Sequence, residues 1–241
     1  MGGLRIERDG EVLRVTLARP ERRNAFDAEL IAALTEAFAG VGDARVVVLA
    51  GEGQSFCAGA DIEWQRSAID LSFDENVEDA LRLYRMCATI DRCPAAVVAR
   101  VHGYALGGGS GLAACSDIAI ASTDAVFGFP EVKLGIIPAV ISPFVLPRIG
   151  RHARRYFLTG ERFGAPTALR IGLVDEVADE LDAAVERVVD EVLSSGPDAV
   201  RTAKLLIREH PGRDETAEIA ARLRTSEEGQ ERLRAFFERR S

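Results

Sequence analysis

The sequence predicts an α/β fold organised around a mostly parallel sheet, and three features carry that expectation. Apolar runs of strand length lie at 45–50 and 96–101, as expected of strands buried on both faces. Segments between them repeat apolar side chains every three or four positions, the period of a helix. From about residue 151 the pattern is helical to the end of the chain. Alternation of the two periods implies βαβ units. The length of 241 residues suits an α/β core over 1–180 followed by a helical region over 181–241.

Taken in order, 13–17 reads as a strand and 20–24, with Pro20, as a loop. Asp27 is placed to cap a helix whose Leu30, Leu34 and Phe38 share one face. The strand over 45–50 is closed by Gly51-Glu-Gly53, and a small-residue turn, Phe56-Cys-Ala-Gly-Ala-Asp61, comes next. Val77, Leu81, Tyr84 and Ala88 predict the apolar stripe of a helix that Pro94 stops, since proline lacks an N–H and its ring clashes with the preceding turn. Gly107-Gly-Gly109 predicts a loop, and the apolar run 112–115 a short helix behind it. Helices are expected over 181–193 and 200–207, and the charged, amphipathic segment 215–240 reads as an oligomer contact or a lid.

Composition excludes several classes. With 30 Lys and Arg against 38 Asp and Glu, the formal charge of −8 opposes broad binding to nucleic acid or anionic membranes. No apolar run is long enough to span a bilayer, and the first residues lack a signal-peptide hydrophobic region, so a cytoplasmic location is expected. Cys57, Cys87, Cys93 and Cys115 have neither disulfide-framework nor zinc spacing. His102, His152 and His210 accompany no G-x-S-x-G nucleophile turn, so neither a metal centre nor a hydrolase triad is expected. The chain carries only two lysines, Lys133 and Lys204, so an anionic ligand would meet arginine, with Arg22 and Arg23 as candidates beside a reading of plain surface charge.

The segment Val101-His-Gly-Tyr-Ala-Leu-Gly-Gly-Gly-Ser-Gly-Leu112, with Phe129-Pro-Glu131 after it, holds the chemistry. Gly109-Ser-Gly111-Leu-Ala-Ala114 matches G-x-G-x-x-A with an acid downstream, but the glycines do not directly follow the strand as a dinucleotide fingerprint requires. Glycine lets backbone N–H groups approach a ligand oxygen without an intervening Cβ. The turn at Ala58-Gly-Ala60 follows another predicted parallel strand and offers a second N–H. Two converging donors make an oxyanion hole.

These motifs, with Arg19-Pro-Glu-Arg-Arg-Asn-Ala-Phe26, Cys115-Ser-Asp-Ile118, Phe129-Pro-Glu-Val-Lys-Leu-Gly-Ile-Ile-Pro138 and Leu158-Thr-Gly-Glu161, resemble the crotonase, or enoyl-CoA hydratase/isomerase, superfamily nearly end to end. The resemblance implies a repeated ββα spiral core, trimers often paired as hexamers, and C-terminal helices covering the active site. It implies an acyl-CoA substrate, with coenzyme A as part of that substrate and no metal or redox cofactor. The thioester oxygen would sit between the N–H groups of Ala60 and Gly108. Ala58, Asp61, Trp64, Arg22 and Arg23 would contact substrate, Ala58 beside the adenine.

Hydratases of this superfamily use two glutamates, whose places here are Glu131 and Gly111. A lone carboxyl suffices for an isomerase that moves one proton along the acyl chain. Ala60-Asp-Ile-Glu-Trp64 and Ile137-Pro-Ala-Val-Ile-Ser-Pro143 are more specifically similar to bacterial methylglutaconyl-CoA hydratases of leucine catabolism. The leading expectation is therefore hydration of a branched or carboxylated 2-enoyl-CoA, with isomerisation and a noncatalytic acyl-CoA-binding paralogue as alternatives. In the leading reading, main-chain groups near Gly111 or the substrate's distal carboxylate hold the water. Arg66 and Lys133 are candidates to meet such a carboxylate, beside a surface reading.

Overall fold

The structure, a computed structural model, describes residues 3–239, so Arg240 at the end of the predicted tail lies outside the described residues. Six strands form the main sheet: β1 (Leu4–Asp9), β2 (Val12–Leu17), β3 (Val46–Gly51), β4 (Ala96–Val101), β6 (Ile118–Ser122) and β9 (Glu176–Ala178), in that spatial order. Only the β1–β2 pair is antiparallel. Between β4 and β6 the chain makes β5 (Tyr104–Leu106), which pairs with β7 (Val126–Gly128) and through it with β8 (Arg162–Gly164) in a small second sheet.

The repeated ββα spiral is visible in this division. Main-sheet strands β3, β4 and β6 are each followed by a short extended piece that belongs to or pairs with the second sheet, and then by a helix. After β3 the pieces at Ser55 and Cys57 bridge Gly103 and Ala105, and α2 (Ile62–Ser67) and α3 (Phe73–Asp91) follow. After β4 come β5 and α4 (Gly108–Cys115), and after β6 come β7 and α5 (Ser142–Ile149). The first helix, α1 (Ala28–Ala39), starts where expected, with the Asp27 carboxylate accepting the Leu30 N–H at 2.9 Å.

Alternation along β3 explains its unbroken apolar run. Val47 and Leu49 enter the main core beneath α1, α3 and α4, whereas Val46 and Val48 enter a second cluster on the opposite face. That second cluster is closed by Leu181, Ala184, Val185 and Val189 of α8 (Leu181–Ser194), after α6 (Ala153–Thr159) and α7 (Ala165–Ile171). Although the predicted core ended at residue 180, α8 is a layer of that core. Only α9 (Pro197–Glu209), α10 (Arg213–Thr225) and α11 (Glu227–Glu238) extend away, with α9 tied back by Lys204, whose ammonium donates to Asp117 at 2.7 Å and to the Ala95 carbonyl at 3.0 Å.

Three local expectations are corrected. Strands β8 and β9 interrupt the region read as helical, because three-residue strands are too short to show a period. Gly108 and Gly109 belong to the first turn of α4, not to a loop. The buried side of α3 is formed by Met86, Cys87 and Ile90, whereas Val77, Leu81 and Tyr84 of the predicted stripe are exposed in the single chain.

Candidate active site

A cavity of about 280 Å³ opens where α2, α3, the N-terminus of α4 and the loop after β7 meet. Its floor is main chain. The Ala58–Ala60 turn lies against the end of β5, so closely that a Cβ on Gly59 would stand 2.7 Å from the Leu106 carbonyl and 3.7 Å from the Gly108 nitrogen. The turn is held by two anchors: Ala58 N–H donates to the Arg23 carbonyl at 3.0 Å, and Phe26 N–H to the Gly59 carbonyl at 2.7 Å. Among the described residues the N–H groups of Ala60 and Gly108 have no acceptor. Both line the cavity, and Gly108 opens α4, where the helix dipole adds positive potential.

Close packing explains the glycines. A Cβ on Gly109 would stand 2.1 Å from the Cys57 carbonyl, and one on Gly108 would stand 2.5 Å from Cε2 of the Phe26 ring. Gly107 has φ of +52° and turns the chain from β5 into the helix.

Glu131 follows β7 in a short 3₁₀ turn, Pro130–Leu134, anchored by buried Phe129 against Phe157 and Phe163. Its carboxyl reaches back over the glycines, so that a Cβ on Gly107 would stand 2.9 Å from its Oε1. Oε2 is buried with no hydrogen-bond partner among the described residues. Burial raises the pKa of this carboxyl above the ordinary glutamate value, and a hydrogen bond from its own backbone offsets part of that rise. A buried carboxyl whose pKa lies above the ordinary value, in the same cavity as two unengaged amides, is suited to passing a proton beside a carbonyl whose oxygen the amides hold.

The predicted residues separate into two groups. Ala58, Ala60, Trp64, Gly108 and Glu131 line the cavity, and Trp64 also packs on the main core. Gly111, Asp61, Arg22 and Arg23 do not. Gly111 is enclosed in α4, its N–H donates to the Gly107 carbonyl at 3.0 Å, and the space where its side chain would go is filled by Ile141. No free N–H at Gly111 remains to hold a water.

Asp61 is buried as the N-cap of α2. Its Oδ1 accepts the Glu63 and Trp64 N–H groups at 2.9 and 3.3 Å, and its Oδ2 pairs with Arg22 at 3.1 Å. Desolvation pushes its pKa up, but those hydrogen bonds and Arg22 outweigh it and hold the carboxyl below the ordinary aspartate value. Arg22 and Arg23 are exposed outside the cavity. Arg66 pairs with Glu63 on the surface, and Lys133 is exposed; neither lines the cavity to meet a distal carboxylate. No residue of α9 to α11 lines it either, so within one chain these helices do not cover the site.

Sequence reasoning missed four participants. Asn24, fully buried, donates to the Glu52 and Ser55 carbonyls at 2.9 and 2.8 Å and so fixes the loop before the Ala58–Ala60 turn. Phe26 seats Gly108, Ile141 fills the place beside Gly111, and Asp79 of α3 lines the cavity. Of these, Asn24 and Phe26 had a signal as members of the motif at 19–26 and Ile141 as a member of the motif at 137–143, whereas Asp79 lay in none.

Among the described residues no group of His, Cys, Asp and Glu could hold a metal ion, and no helix is long and apolar enough to cross a membrane.

Comparison with known proteins agrees with this geometry. The family model described as enoyl-CoA hydratase/isomerase matches residues 7–241. A crotonyl-CoA hydratase of Syntrophomonas wolfei is 32% identical, over 85% of this chain and 80% of its own. The crystal structure of an enoyl-CoA hydratase from Shewanella pealeana superposes with a TM-score of 0.93 at 40% identity, covering 98% of this chain and 94% of that one. AtuE of Pseudomonas aeruginosa gives 0.93 at 37%, covering 98% and 97%. The chain belongs to the enoyl-CoA hydratase/isomerase family, within the crotonase superfamily.

Proposed function

We propose that the protein hydrates a 2-enoyl-CoA, with the thioester oxygen held by the Ala60 and Gly108 N–H groups and Glu131 as the proton donor to the carbon beside the thioester. The observation that carries this reading is the buried Glu131 carboxyl, its Oε2 without a hydrogen-bond partner among the described residues, in the cavity that two unengaged amides line. Addition of water to the conjugated bond places enolate charge on the thioester oxygen. Fixed dipoles aimed at that oxygen stabilise the transition state more than the ground state. The reaction is redox-neutral and needs no group besides the coenzyme A of the substrate. Loss of the enoyl-thioester absorbance on mixing with crotonyl-CoA is the expected result, and an unchanged spectrum across a panel of 2-enoyl-CoAs removes the hydratase reading.

Isomerisation is the second reading, favoured by the same single raised-pKa carboxyl, which could return a proton to a different carbon. It is separated by presenting a 3-enoyl-CoA, whose conversion creates the absorbance that hydration consumes. A noncatalytic acyl-CoA binder has no use for a desolvated carboxyl, which costs stability to maintain.

The acyl group is less closely specified. Similarity of motifs to methylglutaconyl-CoA hydratases supports a branched, carboxylated chain, and the wall of Ile136, Ile137, Pro138 and Leu83 accommodates a branched one. Among the described residues, however, no Lys, Arg or His lines the cavity. A distal carboxylate would therefore have to remain in water, since burying it unpaired is costly, and the cavity of one chain is better matched to an uncharged enoyl group.

Assembly as a trimer or hexamer is supported by apolar side chains left exposed on the single chain, among them Ile69, Phe73 and Leu158. In such an assembly α9 to α11 are placed to cover a neighbour's site, and sedimentation of the purified protein tests it. A cytoplasmic location suits the four free, buried cysteines, and cell fractionation checks it.

A further inference from the structure

We propose that Asp79 is the second acid–base residue of this cavity, holding the attacking water and accepting its proton. The proposal rests on the hydratase reading above. Helix α3 turns Asn76, Asp79, Ala80 and Leu83 toward the cavity, the i, i+3, i+4, i+7 row of one helix face. Among the described residues, Asp79 and Glu131 are the only titratable side chains in the lining.

The polar neighbours of Asp79 are already engaged. The Asn76 amide donates to the carbonyls of Ala68, Leu71 and Ser72 at 3.3, 3.1 and 3.0 Å, and the Gln65 amide to that of Ala60 at 3.3 Å. Asp79 itself is 16% exposed, and its ion-pair partner Arg82 is 3.7 Å away, beyond hydrogen-bond range, with a side chain largely in solvent. A half-buried carboxylate with such a loose partner keeps its lone pairs for the cavity.

Net addition of water needs an acceptor for the water proton as well as a donor to the α-carbon, and a second carboxylate lets the two act together. In the proposed step the water oxygen bonds to the β-carbon of the enoyl group, and one water O–H bond breaks with its proton passing to the Asp79 carboxylate. The π electrons move onto the thioester oxygen held by Ala60 and Gly108. Glu131 then protonates the α-carbon as those electrons return. Asp79 ends protonated and Glu131 ionised, and exchange with solvent resets both.

The test compares wild type, Asp79→Asn and Asp79→Glu in hydration of crotonyl-CoA and in isomerisation of a 3-enoyl-CoA, which consumes no water. Asp79→Asn is expected to lower kcat for hydration by on the order of 10²-fold or more. Its KM, and any isomerase rate, should stay within about threefold of wild type. Asp79→Glu should restore part of the hydration rate.

Hydration by Asp79→Asn within about threefold of wild type overturns the proposal. So does a loss in which the melting temperature falls, KM and kcat change together and Asp79→Glu rescues nothing, since that marks a structural residue. Wild-type protein that hydrates no enoyl-CoA removes the hydratase reading and this proposal together, a result distinct from an active wild type with an active Asp79→Asn.

Discussion

Gly111 and Ile141 share one volume: a Cβ on Gly111 would stand 2.5 Å from Cγ2 of Ile141 and 2.9 Å from its Cβ. Ile141 is buried and lines the cavity on its other side, so the residue at 111 is separated from the cavity by a fixed branched side chain. The missing second glutamate is thus a repacked place, not an open one.

Substituting Gly111 should consequently destabilise without adding chemistry. Gly111→Ala is expected to cost about 1–3 kcal/mol from overpacking. The double variant with Ile141→Ala should lose less than the sum of the two single changes, because the two sites are in contact. Denaturant unfolding of the three variants checks both statements, and additive losses would show that the contact is not shared.

Removing the Glu131 proton should stop catalysis while leaving binding. Glu131→Gln is expected to reduce turnover by roughly 10²- to 10⁴-fold. Affinity for a nonreactive acyl-CoA should remain near wild type, because the amide occupies the same space. Calorimetric titration alongside the absorbance assay reads the two separately.

The raised pKa of Glu131 carries a pH dependence whose sign follows from linkage. The native state binds this proton more tightly than the unfolded chain, so the contribution is fully present below the unfolded glutamate pKa. It is lost as pH rises through the higher native value. Wild type should therefore lose stability relative to Glu131→Gln across that window, followed by unfolding at steps from about pH 4 to about pH 8. Hydration should fall over the same limb, since the donor must be protonated.

Gly108→Ala tests the oxyanion donor without touching a titratable group. Its Cβ would press on the Phe26 ring at 2.5 Å and move the first turn of α4. A fall in kcat of about 10²- to 10³-fold, with a smaller effect on KM, is the expected signature of a misplaced transition-state donor. A rate near that of wild type would show that Phe26 yields and the donor stays.

Crotonyl-CoA is expected to be turned over with a kcat/KM at least equal to that of methylglutaconyl-CoA, given a lining without cations. Side-by-side progress curves decide it, and a strong preference for the carboxylated substrate would show that a cation from another chain completes the site.

Much of the site was legible because its chemistry lies in short, local motifs. Gly107 to Gly109 and the turn at Ala58 to Ala60 were identifiable from residue type, and Glu131 from the resemblance of its motif. Asp79 was not, since it lies off the stripe of Val77, Leu81, Tyr84 and Ala88 that the sequence marks as the buried face, and a charge off that stripe ordinarily faces solvent. The orientation of α3 is set by Met86, Cys87 and Ile90 at its far end, which bury on the core and swing Asp79 inward. Asp61 and Arg22 looked like ligand contacts because the motif carries them, yet a single hydrogen-bonded cap explains both.

By itself the sequence determined the order of the longer elements, β2, α1, β3, α3, β4 and α8, and the glycine-rich positions around the site. It also determined which carboxyl follows the β7 turn. These are properties of neighbours in the chain, governed by period, by φ and by the absence of Cβ. Tertiary structure alone decided that the Ala58–Ala60 turn lies against the start of α4, that Glu131 loses its water, that Ile141 occupies the place beside Gly111 and that α3 presents Asp79. Each of these depends on how separate segments pack, and close packing, not local pattern, settles which groups share a cavity.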